Sequence, residues 1–207
     1  NTVTVYYTLG IGRIGEICER QNVSLAFSRG KIDEKNIVQS RRGNVYVVPS
    51  SLKLLDQRSM ESLEIKKILR SAKGFDDILI DTSPTWDNIV SGALMAADLI
   101  LSPVAFTEYN YNMSVCLLSK MQTVMPDQVK NLYFLFNHWS EQYSKSPSSL
   151  QNLVLSMYRK GLDNLLTAHL PDTRFMDRYT NLDQMCSVRS LYKGCARLAS
   201  GVNDLLS

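Results

Sequence analysis

The chain has 207 residues, of which 44% are hydrophobic and 21% charged, with a formal net charge of +3. That is ordinary globular composition, long enough for one sizeable core, and the mild charge does not by itself point to nucleic acid. No apolar run approaches the roughly 20 residues that span a bilayer, and no signal-peptide pattern opens the sequence. Four cysteines (Cys18, Cys116, Cys186, Cys195) form no CxxC, and His138 and His169 are two isolated histidines. Neither a zinc site nor a disulfide framework is indicated, so the expectation is a cytoplasmic protein with reduced thiols.

Short, almost continuously apolar runs mark the strands in chain order. Val45–Val48 lies between Gly43-Asn44 and Pro49-Ser50-Ser51; Ile78–Ile80 stops at Asp81; Leu99–Leu101 stops at Ser102-Pro103; Leu132–Phe136 stops at Asn137; Leu165–Ala168 leads to Leu170-Pro171. Runs of this kind are those of strands buried on both faces. Helical spacing is found over Met60–Ala72, Asn88–Ala97, Tyr111–Val124, Leu150–Leu162 and Val188–Leu206. The alternation predicts an α/β fold, three-layered, with a mostly parallel sheet and helices on both faces. The polar stretch Glu141–Ser149 reads as a mobile loop or a plain surface connection. No domain boundary is visible, and a single domain over 1–207 is expected.

The stretch Phe75–Phe106, FDDILIDTSPTWDNIVSGALMAADLILSPVAF, carries the chemistry. Asp81 is expected at the carboxyl end of a buried strand, where ligands of open α/β sheets bind. From the residues alone it reads equally as a Mg²⁺ ligand beside a nucleotide or as a cap of the following turn or helix.

Ile80-Asp81-Thr82-Ser83-Pro84, Gly92-Ala93-Leu94, Ala96-Ala97-Asp98 and Leu101-Ser102-Pro103-Val104 resemble the Walker-B region of the ParA/MinD family of ATPases. Ser83 stands for that family's first proline, and Ser102 for its isoleucine or valine. Gly43–Ser51 resembles the family's GNLDVIPSS strand, and Tyr133–Asn137 its GVLLN strand. Thr167–Pro171 resembles its T.IP strand end, and the closing helix around Leu191-Tyr192 and Cys195–Ala199 its last helix. The resemblance implies a P-loop NTPase-like fold, ATP and Mg²⁺ as cofactors, and a nucleotide-dependent homodimer. It implies Asp81 as a metal ligand acting through water, and Asn137, Pro171 and Asp172 beside the nucleotide base. His169 stands where an apolar residue is more usual and reads as a packed or capping histidine.

The family's phosphate loop, KGGxGKT/S, does not occur in the sequence. Thr8–Gly15 is glycine-rich but has no Gly-Lys-Ser/Thr, and its spacing does not match. The sequence is therefore expected to begin within a longer polypeptide; a degenerate relative without ATP binding, or a strand supplied by another chain, are the other readings. Without a first strand, neighbouring strand edges and apolar surface should be exposed.

Arg189, Lys193 and Arg197 recur at helical spacing opposite Leu191, Cys195, Leu198 and Val202. The resemblance to ParA proteins implies sequence-independent DNA binding, and the stripe is a candidate phosphate contact that Lys160, Arg174 and Arg178 would extend; a solvated helix face is the plain alternative. It also implies a ParB-like partner and a nucleoid-associated, cytoplasmic location. A MinD-like positioning ATPase is disfavoured because the sequence has no basic amphipathic tail, and no membrane partner is expected. A nucleotide-free scaffold on the same fold is the alternative of a different class.

Overall fold

The computed structural model describes residues 20–39, 44–171 and 189–206. They fall into two compact units, Asn1–Ala97 and Asp98–Ser207.

In the first unit, helix α1 (Val23–Arg29) starts where the Asn22 side chain accepts a hydrogen bond from the Leu25 N–H and ends at Gly30. Gly30 has φ +75°, the left-handed conformation that glycine adopts without Cβ strain. Strands β1 (Val38–Gln39) and β2 (Tyr46–Val47) form a short antiparallel ladder. The expected buried strand Val45–Val48 is thus a two-residue strand, and Val45 and Tyr46 are exposed. A ladder this short satisfies few backbone groups and buries little.

Helix α2 (Ser62–Leu69) packs against α3 (Asn88–Ala96). Small residues make the approach possible: Ser91, Gly92 and Ala93 are buried. Phe27, Ile65 and Ile68 form the unit's core, with Val23, Ile32, Leu54, Met60, Leu69 and Ile89 packed around them. Arg70 ties the pair together through a 3.0 Å hydrogen bond from its Nε to the Ala96 carbonyl.

Ile78–Ile80 is not a strand. It is an unpaired segment with Ile78 52%, Leu79 97% and Ile80 40% exposed. Apolar composition favours a strand only when a neighbouring backbone completes its hydrogen bonds. Among the described residues no strand pairs with it.

The second unit holds a parallel sheet of β3 (Ile100–Val104), β4 (Leu132–Trp139) and β5 (Leu165–Pro171), in that order. Each crossover carries helix: α4 (Glu108–Val124) between β3 and β4, and α5 (Glu141–Ser144) with α6 (Leu150–Gly161) between β4 and β5. Helix α7 (Arg189–Leu206) packs along β5. Leu132, Phe134, Leu135 and Phe136 are buried on the central strand, and the Phe134 and Phe136 rings meet Tyr158 edge-on. The Tyr158 hydroxyl lies 2.7 Å from the Ser114 hydroxyl in this core, joining α6 to α4.

The stretch 141–149, expected as a loop, is a connection with a helix of its own. Ser140 caps α5 and Ser149 caps α6. The Asn152 amide donates to the carbonyls of Ser144 at 3.0 Å and Ser146 at 2.7 Å, which pins the turn.

Candidate functional site

In the first unit, Asp81 lies at the end of the exposed segment rather than at the end of a buried strand. Residues 77–85 are exposed throughout, and the Ser83 and Thr85 hydroxyls meet at 2.8 Å. Asp81 does not cap the following helix. That role belongs to Asp87, whose Oδ1 accepts from the Val90 N–H at 2.9 Å and whose Oδ2 lies 3.2 Å from Arg58 Nε. Asp81 is an exposed carboxylate with no side-chain partner among the described residues. A hard divalent cation binds such a group readily, directly or through water.

In the second unit the carboxyl ends of β4 and β5 come together. Asn137 is half-buried, and its Oδ1 accepts a 2.9 Å hydrogen bond from the His138 N–H. His138 has φ +58°, a left-handed conformation uncommon for a residue other than glycine. Such a residue costs on the order of 1–3 kcal/mol and persists only where its surroundings hold it.

The strain has a visible geometric product. Phe136 pairs with His169 and Trp139 with Pro171, so three steps along β4 (136 to 139) match two along β5 (169 to 171). This is a β-bulge with His138 inside it. In a regular strand Phe136 and Trp139 would point to opposite faces. Across the bulge both line the same cleft, a cavity of about 490 Å³ on β4, β5 and α6.

The cleft wall is aromatic. The Trp139 and His169 rings lie 4.2 Å apart, tilted by 31°. Phe106, just past β3, stacks on Phe136 at 4.4 Å and meets Trp139 edge-on at 5.7 Å. The Trp139 indole nitrogen is buried without a hydrogen-bond partner among the described residues. Arg159 and Asp163 bring opposite charges to the same cleft.

The nominated base-contact residues Asn137 and Pro171 therefore stand on neighbouring strand ends, while Asp172 lies outside the described residues. Among the basic residues, Lys193 and Arg197 are exposed one turn apart on α7, Arg189 opens that helix, and Lys160 is exposed in the last turn of α6. Arg174, Arg178 and the glycine-rich segment 8–15 lie outside the described residues. The sequence reading missed Trp139 as a wall of the cleft. The signal was there only in part: an aromatic following the strand-end Asn137, with no indication of the bulge that turns it inward.

Comparison with known proteins bears on both units. A family model described as "AAA domain" matches residues 7–134. A comparison with curated proteins returned no match. Among solved structures, a putative plasmid partition protein from Borrelia burgdorferi B31 bound to AMPPNP matches at TM-score 0.65 and 15% identity, over 89% of this chain and 73% of that one. A plasmid partition protein from Borrelia burgdorferi matches at TM-score 0.58 and 16% identity, over 79% and 70%. A third structure, described as a partition protein, matches at TM-score 0.56 and 15% identity, over 89% of this chain and 54% of its own length. The fold is thus the parallel sheet with helices of P-loop NTPase-like partition proteins. The matched span covers more than half of the sequence, and the chain belongs to this AAA-domain family, of the ParA/MinD type.

Proposed function

We propose that the chain acts, as one ParA-like domain, as a partition ATPase that segregates plasmid or chromosomal DNA. The observation that carries this reading is the fold shared over 89% of the chain with a putative plasmid partition protein that binds AMPPNP. What is present fits the base end of a nucleotide: a half-buried amide, a strand-end proline and the Trp139–His169 ring pair at the carboxyl ends of β4 and β5. The exposed Asp81 carboxylate fits Mg²⁺ held through water.

In this reading ATP is the substrate and brings the phosphoanhydride bond that is hydrolysed. Asn137, Pro171 and Asp172 receive the base. ATP binding favours a homodimer, and Arg189, Lys193, Arg197 and Lys160 contact DNA phosphates without reading sequence. A ParB-like DNA-binding partner stimulates hydrolysis, and the protein works on the nucleoid in the cytoplasm. No helix among the described residues is long and apolar enough to cross a membrane.

The test is binding of the full encoded chain to random-sequence duplex DNA, with and without ATP and Mg²⁺ at fixed salt. Binding that requires ATP is the expected result. DNA binding indifferent to nucleotide, together with no ATP retention, would favour the nucleotide-free scaffold.

A further inference from the structure

We infer that the Trp139–His169 pair is the surface on which the nucleotide base stacks, and so a specificity-determining element of the site. This rests on the proposed ATP reading and extends it to residues that the family pattern does not supply.

Three observations converge. The two rings lie 4.2 Å apart, tilted by 31°, and both line the same cleft. A flat heteroaromatic ring added to such a pair continues the stack at little ordering cost, because the wall is held in place beforehand. The pair stands at the carboxyl edge of the sheet, where ligands of open α/β folds bind: Trp139 is the last residue of β4, and His169 lies two residues before the end of β5. Finally, the bulge at His138 is what places Trp139 on this face, and strained left-handed residues of this kind cluster at functional sites. A core packed for stability alone would be met equally well by a regular strand with an aliphatic residue at the wall.

Arg159 and Asp163 stand at the far end of the cleft, where α6 ends and β5 begins. Stacking of this kind tolerates adenine and guanine alike, so the wall selects for a purine face more than for one purine.

The experiment reads tryptophan emission of the full encoded chain during titration with MgATP, with inorganic tripolyphosphate as the base-free control. Retention of labelled ATP in equilibrium dialysis is measured in parallel. The expected result is quenching by MgATP, absent with tripolyphosphate, lost in W139F and kept in W86F. H169A should weaken ATP retention on the order of tenfold, the size expected for one lost stacking partner. H169F, which keeps a flat ring, should retain it and guards against a merely unfolded H169A. ATP retained in dialysis with unchanged emission, and with H169A binding as tightly as the parent, would overturn the stacking role and leave the ATP reading standing. No ATP retention by the parent chain would overturn both.

Discussion

Gly92 of α3 lies so close to Ile65 of α2 that a Cβ placed on it would stand 2.5 Å from the isoleucine Cγ2 and 2.8 Å from the Ser62 carbonyl oxygen. The backbone carbonyl has no room to yield. G92A should therefore push α2 and α3 apart and destabilise the first unit by about 1–3 kcal/mol, the range for overpacking a filled core. Thermal unfolding of the variant checks this. An I65V, G92A double variant should recover none of the loss, because valine keeps the Cβ and Cγ2 atoms that the new methyl group would meet.

The Ser114–Tyr158 hydrogen bond predicts a different signature. S114A leaves a buried phenol without its partner and should cost about 1–3 kcal/mol. Y158F removes the buried hydroxyl itself and leaves Ser114 its hydrogen bond to the Asn110 carbonyl, so it should cost less than S114A despite being the change on the larger residue. Denaturant unfolding of both variants distinguishes the two.

Tyr158 also sets an alkaline limit. Burial raises its pKa above the ordinary value of 10.0, opposed in part by the Ser114 hydrogen bond. The folded protein holds the proton more tightly than the unfolded chain. Its contribution to stability is therefore complete below about pH 10 and is lost as pH rises toward the raised folded value. Stability measured from pH 9 upward should fall more steeply in the parent than in Y158F.

Trp139 should tolerate loss of its nitrogen. W139F keeps an aromatic ring against Phe106 and His169 and deletes a buried donor that has no partner among the described residues. An unsatisfied buried donor costs roughly 1–3 kcal/mol, so its removal offsets much of the smaller ring's lost contact. The melting temperature of W139F should stay near that of the parent, whereas W139A should fall sharply.

The α7 stripe gives a test by salt. Each phosphate contact contributes roughly 0.9 to the slope of log affinity against log salt concentration. K193E with R197E should weaken ATP-dependent binding to random-sequence DNA and flatten that slope by about two contacts' worth. An unchanged slope would assign the stripe to solvent.

Much of this was legible in the sequence, for identifiable reasons. The strands read at Leu99–Leu101, Leu132–Phe136 and Leu165–Ala168 were visible because both faces of a buried strand select apolar residues, and each runs on, to Val104, Trp139 and Pro171. The helix beginning at Asn88 was visible from the helical spacing of Ile89, Val90, Leu94 and Met95, although its cap Asp87 was not foreseen. The short α1 went unread, although Asn22 and Gly30 are a cap and a stop at the right distance. Two things were not legible. Ile78–Ile80 has a strand's composition, but composition says nothing of whether a partner backbone lies alongside. The inward turn of Trp139 depends on a bulge at His138, and neither histidine nor its neighbours announce a positive φ. Asn137, Pro171 and Lys193 were nominated from resemblance, and the structure puts the first two on adjacent strand ends without assigning them a ligand.

Ile78–Leu79–Ile80 and Phe134–Leu135–Phe136 are both three-residue apolar runs, yet one is exposed and unpaired and the other buried within a ladder. Their amides should accordingly keep different time in deuterated water. Those of Phe134–Phe136 should exchange only when the second unit opens as a whole, while those of Ile78–Ile80 should exchange almost as fast as in an unstructured peptide. Any factor that completes the ladder beside Ile78–Ile80 would announce itself by slowing these three amides first.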